Sequence, residues 1–251
     1  MVTQPFLTNG IYYVTDLFQH MKLLFKFFLI PYFLMTVLSC EVQLEDNTRI
    51  FVKGTIKDQD NGPISEAKIS VLTKRGNFSG GENAYILGEG YSGSDGMFSV
   101  ISFYDKDEDF AIEVAFGEAY STYVYKSNTL DFTPTDLTFN LETVTLKKLA
   151  NFNYNIVRTS GEANTITYSF KYIEGFCLEY FEGETLNELQ SVCYQERFIS
   201  RTLNDNNPDY EWLLHVPIGE VVEFTYSIND TPEITELITI TEDNYDFTFT
   251  Y

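Results

Sequence analysis

The chain has 251 residues, and 37 acidic against 16 basic side chains give a net charge of −21, which excludes the basic footprint that nucleic acid requires. Hydrophobic residues make up 44% and aromatics 16%, with 22 Phe and 18 Tyr, enough to bury a core and better suited to strands than to helices. The length suits two small domains better than one long one, and no helical periodicity runs through any useful window.

Near the N-terminus, Met21-Lys22-Leu23-Leu24-Phe25-Lys26 leads into an apolar run ending at Val37-Leu38-Ser39-Cys40. Two lysines before a short apolar stretch is the layout of a secretory signal. The ending resembles the bacterial lipobox: an aliphatic residue three before the cysteine, a small one just before it, then Cys40. The resemblance implies a signal over 21–39, cleavage before Cys40 and lipid on its thiol, because a thioether is the attachment point. A retained membrane span is the alternative, but the run is short for one and holds Pro31. Residues 1–20 lie upstream of a complete signal with its own Met, so the start is either Met1 or Met21. Residues 41–48 read as a tether. Cleavage removes His20, Lys22, Lys26 and Asp16, leaving a still more acidic chain that anionic headgroups repel, so membrane attachment is expected to rest on the acyl chains. Glu41, Glu45 and Asp46 loosely resemble the acidic signal that sends some lipoproteins to the surface of the outer membrane.

From Arg49 onward, period-two alternation dominates. Arg49–Lys57 predicts a strand, Asp58–Pro63 a turn, and Ala67–Leu72, Ala84–Ser92, Met97–Phe103, Phe110–Phe116 and Tyr120–Tyr125 further strands. Lys74–Gly90 is long for a connection and predicts an exposed loop around Gly80-Gly81-Glu82-Asn83. The order Val52-Lys53-Gly54-Thr55-Ile56, Asp58, Asn61-Gly62-Pro63-Ile64, Ala67-Lys68-Ile69-Ser70-Val71 and Gly93-Ser94-Asp95-Gly96-Met97-Phe98-Ser99 resembles the carboxypeptidase regulatory-like domain. That resemblance implies a transthyretin-like β-sandwich over 49–127, a folding or display module without catalytic residues. Gly62 and Gly96 are expected at turn positions that a Cβ would strain.

A second, Ig-like sandwich is expected over 128–251, opening with Asp136–Leu146 and continuing through Leu149–Arg158, Asn164–Ile173, Tyr210–Val216, Glu220–Ile228, Glu233–Thr241 and Tyr245–Tyr251. The fold class is therefore all-β, two tandem sandwiches after an N-terminal signal helix. With Cys40 assigned to lipid, Cys177 and Cys193 remain as an even pair in an oxidising compartment. They lie in the runs Thr167–Phe181 and Gln190–Ser200, and a hairpin centred near Thr185 brings them opposite one another, which favours a disulfide over two buried thiols.

Catalytic sets are missing. After loss of His20, His215 stands alone beside Trp212-Leu213-Leu214, as a half-buried strand residue rather than a catalyst, and no zinc site, nucleophile elbow or phosphate loop is present. Asp105, Asp107 and Asp109, and the run Asp205-Asn206-Asn207-Pro208-Asp209, cluster oxygens as calcium requires, although solvated acidic loops are the preferred reading. Tyr120, Tyr123, Tyr125, Tyr210 and Trp212 are candidates for sugar stacking and, first of all, for packing. The expectation is a non-enzymatic cell-envelope lipoprotein of the outer membrane, without cofactors, whose loops bind a protein or a glycan. The alternatives are an accessory lipoprotein of an outer-membrane nutrient transporter and, behind it, a glycan hydrolase.

Overall fold

The computed structural model describes residues 44–73 and 84–251. Segment 1–40, with Cys40 and the signal helix, and most of the predicted loop after Lys74 lie outside the described residues. Among those residues every regular element is a strand, so the fold is all-β.

The first half builds seven strands: β1 (Leu44–Asp58), β2 (Lys68–Thr73), β3 (Tyr85–Tyr91), β4 (Met97–Asp105), β5 (Phe110–Ala115), β6 (Thr122–Ser127) and β7 (Thr138–Leu146). β1 starts five residues before the predicted Arg49, taking in part of the expected tether. Its inward column, Ile50, Val52 and Ile56, is buried against Ile69 and Val71 of β2, Phe110, Ile112 and Val114 of β5, and Tyr125 of β6. At about 25 cal/mol per Å² of apolar surface removed from water, such columns are the main source of stability. The turn after β1 depends on Asp58, whose Oδ1 accepts the amides of Asp60 (2.9 Å) and Gly62 (2.7 Å). Asn61 takes the positive φ of 66°, while at Gly62 an added Cβ would lie 2.8 Å from the Asp58 carboxylate. Gly96 has a φ of +77° and leaves 2.4 Å between an added Cβ and the carbonyl oxygen of Ile56, so only glycine fits the second turn.

Two strand assignments at the junction need correction. Asp136–Leu146 was expected to open the second sandwich at a boundary near residue 128. It instead joins the first, running parallel to β1 in the sheet β4-β1-β7, with Phe51 opposite Thr138 and Ile56 opposite Val144. The physical reason is its inward column: Phe139, Leu141, Val144 and Leu146 complete the first core.

The second correction concerns the cysteine hairpin. The remaining strands are β8 (Leu149–Val157), β9 (Ile166–Ile173), β10 (Phe176–Glu182), β11 (Thr185–Leu186), β12 (Val192–Cys193), β13 (Glu196–Leu203), β14 (Tyr210–Pro217), β15 (Val221–Ile228), β16 (Ile234–Thr239) and β17 (Asn244–Thr250). The runs around the cysteines form one long hairpin whose two parts serve different sandwiches. Its stem pairs β9 with β13 inside the sheet β13-β9-β15-β16, and its tip adds β10 in parallel to β6, extending the sheet of β6, β5, β2 and β3. Pairing continues through the junction, with the Glu174 amide donating to Gln195 O at 3.0 Å and the Tyr194 amide to Phe176 O at 2.8 Å.

The sheet β13-β9-β15-β16 packs on β14-β8-β17 around an aromatic core of Phe152, Tyr154, Tyr168, Phe170 and Phe224, with Phe170 and Phe224 stacked at 4.9 Å. Between the sandwiches, β7 passes to β8 through Lys147 and Lys148. Leu149 N donates to Ala119 O and Ser121 N to Lys147 O, both at 2.8 Å, and Lys147 Nζ pairs with Glu220 at 2.9 Å.

Candidate functional site

The cysteines meet as expected: Cys177 and Cys193 are directly paired across β10 and β12 and joined by a disulfide, with Cα atoms 3.8 Å apart. Glu179 lies close to both sulfurs, but sulfurs bonded to each other do not ligate a metal.

The acidic candidates serve as structural braces. Asp105 is buried, and its Oδ2 lies 2.8 Å from the Thr73 hydroxyl, which also lies 2.5 Å from Asp107 Oδ2. Asp109 turns away to pair with Lys126 Nζ at 2.6 Å. The 205–209 run is held in the same manner: Asp205 accepts the Ala163 amide at 3.0 Å and pairs with the Arg158 guanidinium, and Asp209 accepts the Arg158 amide at 2.8 Å. The Ala163 amide, then Arg158, hold the Asp205 carboxyl below its ordinary range.

The aromatic candidates do not gather into one platform. Tyr123 is buried and donates to Glu179 Oε2 at 2.6 Å, Tyr125 stacks on Phe181 at 4.5 Å, and Tyr120 leans on Phe116 at 5.5 Å, all in the first sandwich. Tyr210 and Trp212 stay together on the second, their rings parallel at 6.3 Å, with the Arg201 guanidinium 3.9 Å above Tyr210. Trp212 is 58% exposed because β14 is an edge strand and nothing covers that end of its column.

Beside this aromatic edge lies a feature unremarked in the sequence. β8 reads Asn151-Phe152-Asn153-Tyr154-Asn155, and its period of two sends the aromatics into the core and the three asparagines outward. The register sets His215 and Asn244 on either side of Asn151, Leu213 and Asp246 beside Asn153, and Glu211 and Thr248 beside Asn155. Asn151 Nδ2 donates to Asn244 Oδ1 at 3.2 Å and Asn153 Nδ2 to Asp246 Oδ1 at 3.0 Å. These bonds fix the amide planes. The result is an open hollow of about 530 Å³ lined by Asn153, Asn155, Glu211, Leu213, Asp246 and Thr248 and bordered by Trp212. Asparagine is disfavoured in strands, so its appearance at every second position of β8 was the available signal.

No family model matches the chain, and none of the curated proteins does. Among solved structures, the chain is similar to a 9R-lipoxygenase from Cyanothece PCC8801 (17% identity, 47% of this chain and 20% of that one, TM-score 0.27). A streptococcal ancillary pilin matches at 12% identity over 82% of this chain and 63% of the other, with a TM-score of 0.30. The shaft pilin SpaA from Lactobacillus rhamnosus GG matches at 8% identity over 81% and 98%, with a TM-score of 0.30. The chain thus spans a fifth of the lipoxygenase and less than two thirds of the ancillary pilin.

Proposed function

We propose that the protein is a non-enzymatic envelope lipoprotein, tethered through Cys40, that binds a neutral glycan on the outward face of β14-β8-β17. The observation that carries this reading is the outward row Asn151, Asn153 and Asn155 with its flanking carboxylates Glu211 and Asp246. Sugar hydroxyls, which both donate and accept, are met by amides that do both and by carboxylates that accept. Glu211 and Asp246 disfavour an anionic ligand on this face. The same two carboxylates are poor candidates for glycoside hydrolysis. They stand on strands separated by β8 and one residue pair out of step, roughly 12 Å apart at their backbones, and Asp246 is tied to Asn153.

Trp212 is the sole tryptophan and therefore a reporter of its own edge. Titration of the full chain with neutral oligosaccharides is expected to change its fluorescence saturably, and Asn153→Ala with Asn155→Ala is expected to weaken that response at least about tenfold, as the loss of two hydrogen bonds implies. A glycan panel without any response, or binding that survives the double substitution, excludes this face. Mass analysis of the protein from its native host checks the anchor separately: an uncut, unlipidated chain removes it.

A further inference from the structure

The outward face of β4-β1-β7 contradicts the charge of the whole molecule. Residues 49, 51, 53, 55 and 57 of β1 share that face, and three of them are Arg49, Lys53 and Lys57. None of the three has an ion-pair partner among the described residues, whereas cations elsewhere, such as Lys147, Lys148 and Arg197, are neutralised by carboxylates at 2.6 to 2.9 Å. The register places Arg49 beside Phe103, Phe51 beside Ile101 and Thr55 beside Met97. Ile101 is 68% exposed, Met97 59%, Phe103 44% and Phe51 38%, so four large apolar side chains and three free cations share one sheet face. The Arg49 guanidinium lies 4.5 Å over the Phe103 ring. The hollow on this face is lined by Lys53 together with two carboxylates, Asp95 and Glu142.

We propose that this face docks on an anionic lipid bilayer, its apolar side chains entering the headgroup layer and Arg49, Lys53 and Lys57 meeting lipid phosphates. The inference rests on the anchor proposed at Cys40. Only residues 41–43 separate Cys40 from Leu44, so the first residue of β1 stands within about 14 Å of the acylated cysteine. That distance holds the Leu44 end of β1 near the bilayer surface, with Arg49 five residues further along the strand. Acyl chains set how much protein is attached, and a basic, apolar face sets how the attached protein lies.

The test uses the lipidated full chain with a nitroxide on Ser99→Cys, an exposed outward position between Met97 and Ile101, and a control label on Thr225→Cys of β15. Both are compared in phosphatidylcholine vesicles with and without phosphatidylglycerol, after cosedimentation has established attachment. With anionic lipid, the Ser99 label is expected to lose access to an aqueous nickel reagent severalfold while the Thr225 label does not. Arg49→Glu with Lys53→Glu is expected to restore that access, each removed charge shifting the docked fraction about fivefold. Attached protein whose Ser99 label stays equally accessible in both vesicles overturns the docking and leaves the anchor intact. Dipolar broadening between Ser99 labels that grows with protein density means the face pairs with a second copy, which also overturns it. Failure to cosediment removes anchor and docking together.

Discussion

Gly175 faces Leu149 so closely that a Cβ on it would stand 2.5 Å from Leu149 Cδ2. This contact lies where the long hairpin leaves the second sandwich, between β9 and β10, and where β8 begins beneath it. Gly175→Val is therefore expected to destabilise the protein by about 1–3 kcal/mol through overpacking. Leu149→Ala in the same chain should recover part of that loss. Chemical denaturation of the two single variants and the double variant checks it: additive losses would mean that the contact is not the cause.

The disulfide closes the hairpin tip just beyond this point, its cysteines 16 positions apart in sequence. In the chain-entropy account, a loop of this size contributes about 3 kcal/mol. Cys177→Ser with Cys193→Ser is expected to lower stability by about that amount and to open the tip first. Tip amides such as those of Val192 and Asn187 should exchange faster with solvent, while those of β9 and β13 remain protected. Uniform loss of protection over both sandwiches would instead show that the tip unfolds only with the rest.

Period two in the sequence was enough to place nearly every strand, because each buries one face and shows solvent the other. The pairing of Cys177 with Cys193 followed from the even pair left beside Cys40 and from the centre of the hairpin near Thr185. Strand partners were less legible. Thr138–Leu146 and Phe176–Glu182 alternate like their neighbours, but both run parallel to strands far away in sequence, β1 and β6, and local alternation carries no information about such partners. Packing, the first reading of the aromatics, holds for Tyr123 and Tyr125, because both faces of β6 are covered. The outward asparagines of β8 were visible as residues, but they became a face only when β14 and β17 supplied Glu211 and Asp246.

Tyrosine ionisation gives a prediction in pH. Burial pushes the Tyr125 phenol up to about 12, and burial, then the carboxylate of Glu179, pushes Tyr123 still further. A raised phenol pKa means that the folded state favours the neutral form. The stabilising contribution is complete below about pH 10, the value in the unfolded chain, and is lost as pH rises toward the folded value. Absorbance at 295 nm is expected to show Tyr123 and Tyr125 ionising only with unfolding. Stability should fall steeply over the same interval. If Tyr123 and Tyr125 ionise near pH 10 with the fold intact, their burial is wrong.

Two buried tyrosines separate hydroxyls that stabilise from one that does not. Tyr104 is 1% exposed, and its Oη lies 2.7 Å from Thr133 Oγ1, joining β4 to the segment before β7. Tyr168 is equally buried in the second core, where its hydroxyl makes no well-formed hydrogen bond although the Tyr154 hydroxyl lies beside it. Removing a satisfied hydroxyl leaves Thr133 without its partner and costs about 1 kcal/mol, whereas removing an unsatisfied one abolishes a desolvation penalty. Tyr104→Phe is therefore expected to destabilise by about that amount, and Tyr168→Phe to be neutral or stabilising by up to about 1 kcal/mol. Thermal unfolding of the two variants side by side decides the matter, and a loss at Tyr168 as large as that at Tyr104 would mean that its hydroxyl is bonded within the core.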